Sequence, residues 1–355
     1  LPTENLTDKF RLKQHTSLNR KLGTALIDDQ FMLDRLQEFA KELFGGLVPP
    51  HTVEHDLSKP TKKILNLVLS DLHFGSDIDK SETGSLNYNV RQEARRIAHI
   101  VKEVALYKIQ DRDISELEIL LLGDIFQNNL HDPRDGAVLA EQIARSLHLL
   151  GQAINYLGAN FKKVRIRCAV GNHGRFTSRH KGRAVHGKFD SAETVLYAAL
   201  KYACSKIGNV EFFIPKTPYV TYSSFGKKVF ATHGDGVLSS IFPGKAIQVG
   251  QLENQSNRIN ASLPDDQEYT VFVVGHVHTA SRTHLPNGSI LITNGALVPV
   301  DPFAISLGIM ESQCGQWLWE STEEEIMTDS YFIKVGKKED NDKSLIEIIK
   351  PWESF

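Results

Sequence analysis

Residues 64–73 run Ile64-Leu65-Asn66-Leu67-Val68-Leu69-Ser70-Asp71-Leu72-His73, an apolar stretch that stops at an Asp-x-His pair. A short, almost uninterrupted apolar run of this kind fits a strand buried on both faces, as in parallel sheets covered by helices. Alternate residues at a strand end point the same way, so Asp71 and His73 are placed to converge.

The same arrangement recurs downstream. Leu117 to Leu122 ends at Gly123-Asp124, and Val164 to Val170 ends at Gly171-Asn172-His173. Helical patterns at Val90 to Ala105 and Ala137 to Leu157 lie between these runs. Buried strands separated by helices predict a layered α/β fold whose site lies beyond the carboxyl ends of the strands. From Asn209 strand-like runs dominate: Glu211 to Ile214, Tyr219 to Tyr222, Lys228 to Thr232, Thr270 to Val274 and Ser289 to Thr293. They predict a second sheet packed on the first. Two of them end in His233 and in Gly275-His276-Val277-His278. Trp317 and Trp319 alternate in a further strand-like run, Gln316 to Glu320, and read as packing residues.

Outside this region the pattern is weaker. Residues 1–60 form an N-terminal extension with one amphipathic helix, Asp28 to Phe44, and a linker marked by Pro49, Pro50 and Pro60. Residues 61–300 form the main domain, and residues 301–355 a strand-rich extension packed on it. With 41% hydrophobic and 24% charged residues in 355, the chain has a globular composition, which excludes disordered and fibrous classes. Its apolar runs fall far short of the roughly 20 residues that span a membrane. The polar, basic N-terminus lacks the apolar segment of a secretory signal, and three widely spaced cysteines build neither a disulfide framework nor a thiolate zinc site. A cytoplasmic location is the expectation. A net charge of -2 gives no overall steering toward nucleic acid.

Taken singly, each polar corner is an ordinary turn. Together the five collect Asp71, His73, Asp124, Asn172, His233, His276 and His278 on one edge of the fold. Oxygen and imidazole donors without thiolate suit divalent manganese, iron, zinc or nickel, with manganese favoured. Seven side chains exceed one tetrahedral ion and fit two ions sharing a carboxylate.

This ordered set resembles the calcineurin-like metallophosphoesterase superfamily, whose blocks are Asp-x-His, Gly-Asp, Gly-Asn-His, a lone His and Gly-His-x-His. The resemblance covers roughly Lys63 to Leu297. It implies the metallo-dependent phosphatase fold, a four-layer α/β/β/α sandwich of two mixed β-sheets. It also implies that Asp71, His73, Asp124 and His278 hold a first divalent ion, that Asp124, Asn172, His233 and His276 hold a second, and that Asp124 bridges. His173 takes the role of the family's non-ligand histidine, donating a proton to the leaving oxygen or stabilising the transition state. The chain departs from the family at Gly174, where many relatives carry an acid, and at Gln127, where protein phosphatases carry Asp. The carboxylate partner of His173 is thus left open among Asp132, Asp135 and Asp190.

Runs beginning at Ser70, His131 and Thr293 look like the metallophosphoesterases of tailed bacteriophages, and more distantly the set is similar to double-strand-break-repair nucleases. The basic insert after His173 offers Arg175, Arg179, Lys181 and Arg183 as a substrate-binding phosphate clamp, with a solvated loop as the alternative. The expected partner is a phosphoester substrate, nucleic acid or nucleotide, with no membrane; a homodimer stays open. The expected activity is a nuclease or phosphodiesterase, the alternatives being a phosphomonoesterase and a silent replication scaffold.

Overall fold

The computed structural model describes residues 60–128, 136–176, 189–238, 248–264, 267–306, 308 and 313–353. Eleven strands among them form two sheets: β1 Lys63–Leu69, β2 Ile114–Leu121, β3 Lys163–Cys168, β4 Val210–Phe213, β5 Tyr219–Ser224, β6 Lys227–Thr232, β7 Tyr269–Val274, β8 Ser281–His284, β9 Ile290–Thr293, β10 Gly315–Ser321 and β11 Asp329–Lys334. The first sheet has the order β11-β10-β1-β2-β3-β4 and the second β5-β6-β7-β9-β8. Both are mixed. Strands β1 to β4 are parallel, while β10 runs antiparallel to β1 and β11. In the second sheet β6, β7 and β9 are parallel, with β5 and β8 antiparallel at the edges.

Four long helices complete the layers: α1 Val90–Gln110, α2 Leu139–Asn160, α3 Ala192–Ala203 and α4 Val249–Asn260. Helix α1 starts where the Asn89 side chain accepts from the Arg91 N–H, satisfying one orphan donor. Its Ile97, Val101 and Val104 pack with Leu147, Leu150 and Ile154 of α2 and with Leu196 and Leu200 of α3 against Leu65, Leu67, Ile119 and Ile166 of the first sheet. A second core lies between the sheets, where Val68, Leu120 and Leu122 meet Val229, Val271 and Ile292. A third, built on Phe230, Phe272 and Leu252, covers the outer face of the second sheet with α4. The fold is therefore the four-layer α/β/β/α sandwich. Because β1 is buried along six of its seven residues, it reads as a continuous apolar run instead of an alternating one.

Helix α4 was not visible in the sequence because its buried positions are Leu252, Ser256 and Asn260, two of them polar. The predicted helix at Asp28 to Phe44 lies outside the described residues. No described helix is long and apolar enough to cross a membrane.

Candidate metal centre

Each of the five corners follows a parallel strand at its carboxyl end: β1, β2 and β3 of the first sheet and β6 and β7 of the second. The corners pack backbone to backbone. The Asp71 N–H donates to Gly123 O at 3.0 Å and the His73 N–H to Asp124 O at 3.1 Å. Glycine is required where they touch: a Cβ on Gly171 would lie 2.1 Å from Asp124 Oδ1, and one on Gly275 would lie 2.6 Å from Asp71 Oδ2. Five of the seven candidate ligands, Asp71, His73, Asp124, His276 and His278, have φ between 48 and 69°. This left-handed region costs a non-glycine residue about 1 kcal/mol or more, so its concentration at one place marks a site held in shape by its surroundings.

The donor atoms converge. Asp71, His73 and His278 form one group, and Asp124, His233 and His276 another, each with its ligand atoms within 4.8 Å of one another. Asn172 joins the second group through Oδ1, 3.0 Å from His233 Nε2, which also lies 3.0 Å from Asp124 Oδ2. His73 Nε2 faces His278 Nε2 at 3.2 Å. Asp124 is buried at the centre, and Asn172, His276 and His278 form the half-buried side of the site.

The tautomers follow from the outer hydrogen bonds. His73 Nδ1–H donates to Gln127 Oε1 at 2.6 Å, and His233 Nδ1–H donates to Leu122 O at 2.8 Å. In the neutral rings each Nε2 is then a lone pair aimed into the centre. Burial, with the nearby His173 and His278 rings, pushes His73 down to about 3; burial, with His233, does the same to His276. Burial opposes ionisation of Asp124, but His233, His173 and His73 outweigh it and hold the carboxyl well below its usual range. Lone pairs of His73 and His233 thus face carboxylate oxygens, while at His278 burial is outweighed by the hydrogen bond to Asp71, which raises that ring. That donor set fits divalent cations, and these residues hold Asp124 where two groups can share it.

His173 belongs to a third convergent group with His73 and Asp124. Its N–H donates to Asp124 Oδ1 at 2.8 Å, and its Nε2 stands 3.9 Å from Asp124 Oδ2. Its Nδ1–H donates to the main-chain carbonyl of Gln127 at 2.5 Å. A carbonyl oxygen therefore orients the ring. Asp190, one candidate partner, is exposed, while Asp132 and Asp135 lie outside the described residues. Arg175 sits half-buried two residues beyond His173, bridged to Ser191, and Asn128 Nδ2 donates to both the His173 and the Arg175 carbonyls. Arg179, Lys181 and Arg183 fall outside the described residues.

One supporting residue was missed in the sequence. Glu193, fully buried near the start of α3, accepts from the Ile125 N–H at 2.8 Å and the Gly171 N–H at 2.6 Å. It ties the second corner to the third. Burial and the charge of Asp124 push its carboxyl up to about 7. The Ser191 N-cap, whose side chain accepts from the Glu193 N–H, was the signal that marked this helix start.

No family model and no curated protein matches the chain. Among solved structures it is similar to a dimetal phosphatase from Danio rerio, at 13% identity over 78% of this chain and 100% of that one, with a TM-score of 0.39. It is also similar to a predicted phosphoesterase from Streptococcus pneumoniae, at 11% identity over 76% and 98% of the two chains, TM-score 0.30. A third, a 5'-nucleotidase from Candida albicans, gives 11% identity over 85% and 57%, TM-score 0.35.

Proposed function

We propose that this chain is a dinuclear-metal phosphoester hydrolase of the calcineurin-like kind. The observation that supports it most is the pair of donor groups meeting at Asp124: Asp71, His73 and His278 on one side, His233, His276 and Asn172 on the other. When bound, two divalent ions supply an activated water and neutralise the phosphoryl oxygens. The remaining chemistry belongs to the chain. His173, oriented through Nδ1, turns Nε2 toward the centre and donates a proton to the leaving oxygen. Asp124 holds the two sides together and, through His173 N–H, fixes that histidine relative to both.

The test is hydrolysis after stripping and reloading with manganese, zinc, iron or nickel. Bis-p-nitrophenyl phosphate reports diester cleavage and p-nitrophenyl phosphate monoester cleavage. Hydrolysis of neither with any of these ions would overturn the proposal.

Our finer proposal is a diesterase acting on nucleic acid, supported by the basic insert that follows His173. Neutralising Arg179, Lys181 and Arg183 while retaining Arg175 should raise KM for DNA or RNA, spare the small aryl diester and flatten the salt dependence of polymer binding. Unchanged polymer affinity and salt slope would favour the second proposal, a phosphomonoesterase acting on nucleotides, which the net charge of -2 suits.

A further inference from the structure

Behind Asp71 lies a chain of buried polar side chains that the metal centre does not itself use. Ser70 Oγ–H donates to Asp71 Oδ2 at 2.6 Å. Asn294 Nδ2 donates to Ser70 Oγ at 2.9 Å and to Gln316 Oε1 at 2.7 Å. Gln316 Oε1 also accepts from the Ser70 N–H at 2.9 Å, and its Nε2 donates to the Ser70 and Gly295 carbonyls at 3.2 and 3.1 Å. Asn294 Oδ1 accepts from the Trp317 N–H at 3.0 Å. Ser70, Asp71, Asn294 and Gln316 are all fully buried.

The hydrogen count leaves a single direction. A primary amide has two N–H donors, and a hydroxyl has one. Both Gln316 donors go to carbonyl oxygens, both Asn294 donors go onward, and the Ser70 oxygen is already an acceptor. Its one hydrogen therefore goes to Asp71. With Oδ2 engaged in this way, Oδ1 is the oxygen that faces His278, at 3.3 Å from Nε2. The chain also joins three elements distant in sequence: the end of β1, the residue after β9 and the second residue of β10.

We propose that Ser70, Asn294 and Gln316 are positioning residues that fix the Asp71 carboxylate, so that ion binding at the Asp71, His73 and His278 group is set from β10. The proposal rests on the reading of Asp71 as a ligand. A fully satisfied buried network of this type holds a ligand rotamer more tightly than packing alone, and loss of such an outer partner typically weakens metal binding about 10- to 100-fold.

The experiment is calorimetric titration of the metal-stripped full chain with Mn2+. The wild type should show two sites. Ser70→Ala should weaken one of them about tenfold or more and leave the other within about threefold, with the thermal midpoint of the metal-free protein little changed. Asn294→Asp, nearly the same shape, replaces the donor to Ser70 by an acceptor and draws its hydrogen away from Asp71, so it should weaken the same site. In an Asp71→Asn background Ser70→Ala should cost nothing further. Two unchanged sites in Ser70→Ala, or equal loss at both with a lowered midpoint, would overturn the relay while leaving the dinuclear reading standing. A wild type that binds no Mn2+ would overturn both.

Discussion

The main-chain carbonyl of Gln127 accepts the Nδ1–H of His173, while the side chain of the same residue accepts the Nδ1–H of His73. One residue thus orients the proposed acid through its backbone and a proposed ligand through its side chain. No substitution at position 127 deletes the main-chain carbonyl itself, but truncation of the side chain removes the other contact. Gln127→Ala is therefore expected to weaken ion binding at the His73 side by about 10-fold or more while leaving the second ion in place. Metal titration of the variant checks it, and equal loss of both ions would contradict it.

His173→Ala should keep both ions and lower turnover about 100-fold or more, the range for losing a general acid. The loss should shrink with good leaving groups such as p-nitrophenolate, which need little protonation. Metal analysis beside rates on a series of aryl esters separates this from a ligand role, in which an ion would leave with the ring.

Asp124→Asn should weaken both ions together, because the carboxylate groups with His73 on one side and with His233 and His276 on the other. His278→Ala should empty chiefly the half it shares with Asp71 and His73. Elemental analysis after loading with excess manganese should read two ions in the wild type and one in His278→Ala; Asp124→Asn that keeps both would remove the bridging role.

Glu93, wholly buried on α1, accepts from the Gly75 N–H at 2.6 Å. Burial holds its carboxyl up at about 7, with Arg145 pulling the other way. Because the folded chain binds this proton more tightly than the unfolded chain, the contribution is most favourable below about 4.5 and is lost as pH rises through about 7. The difference is at most about 3 kcal/mol. Glu93→Gln keeps the oxygen for Gly75 and removes the titration. Denaturation midpoints at acidic and mildly alkaline pH should therefore fall less in the variant than in the wild type over that window.

The five polar corners were legible because each places a polar residue after an apolar strand, and a strand buried on both faces writes itself as a continuous run, as at Ile64 to Leu69. Edge strands do not. In β8, Ser281–His284, alternate residues are exposed and the rest only half-buried, so no apolar signal marks it. Helix α3 went unread although Ser191 and Glu193 mark its start. The partners of the site were hidden for a different reason. Gln316 stands 246 residues from the Ser70 it touches, and Glu193 reaches the corner at Ile125 across 68. Spacing along the chain carries no trace of such contacts, and the absence of an acid at position 127 gave no hint that a carbonyl would take its place.

Strand β10 lies against β1 with Trp319 opposite Asn66, a pairing that spans 253 residues. During synthesis Asn66 emerges 253 residues ahead of that neighbour, and β1 waits for it. Until Gly315 to Ser321 have left the ribosome, one edge of a strand with six buried residues stays unpaired, a surface prone to join other chains. Long-range closure of this kind slows folding. A chain interrupted before residue 315 is accordingly not a smaller version of the protein but an unfinished sheet, lacking the Gln316 side chain behind Asp71, and its fate in a cell would be decided by chaperones and proteases.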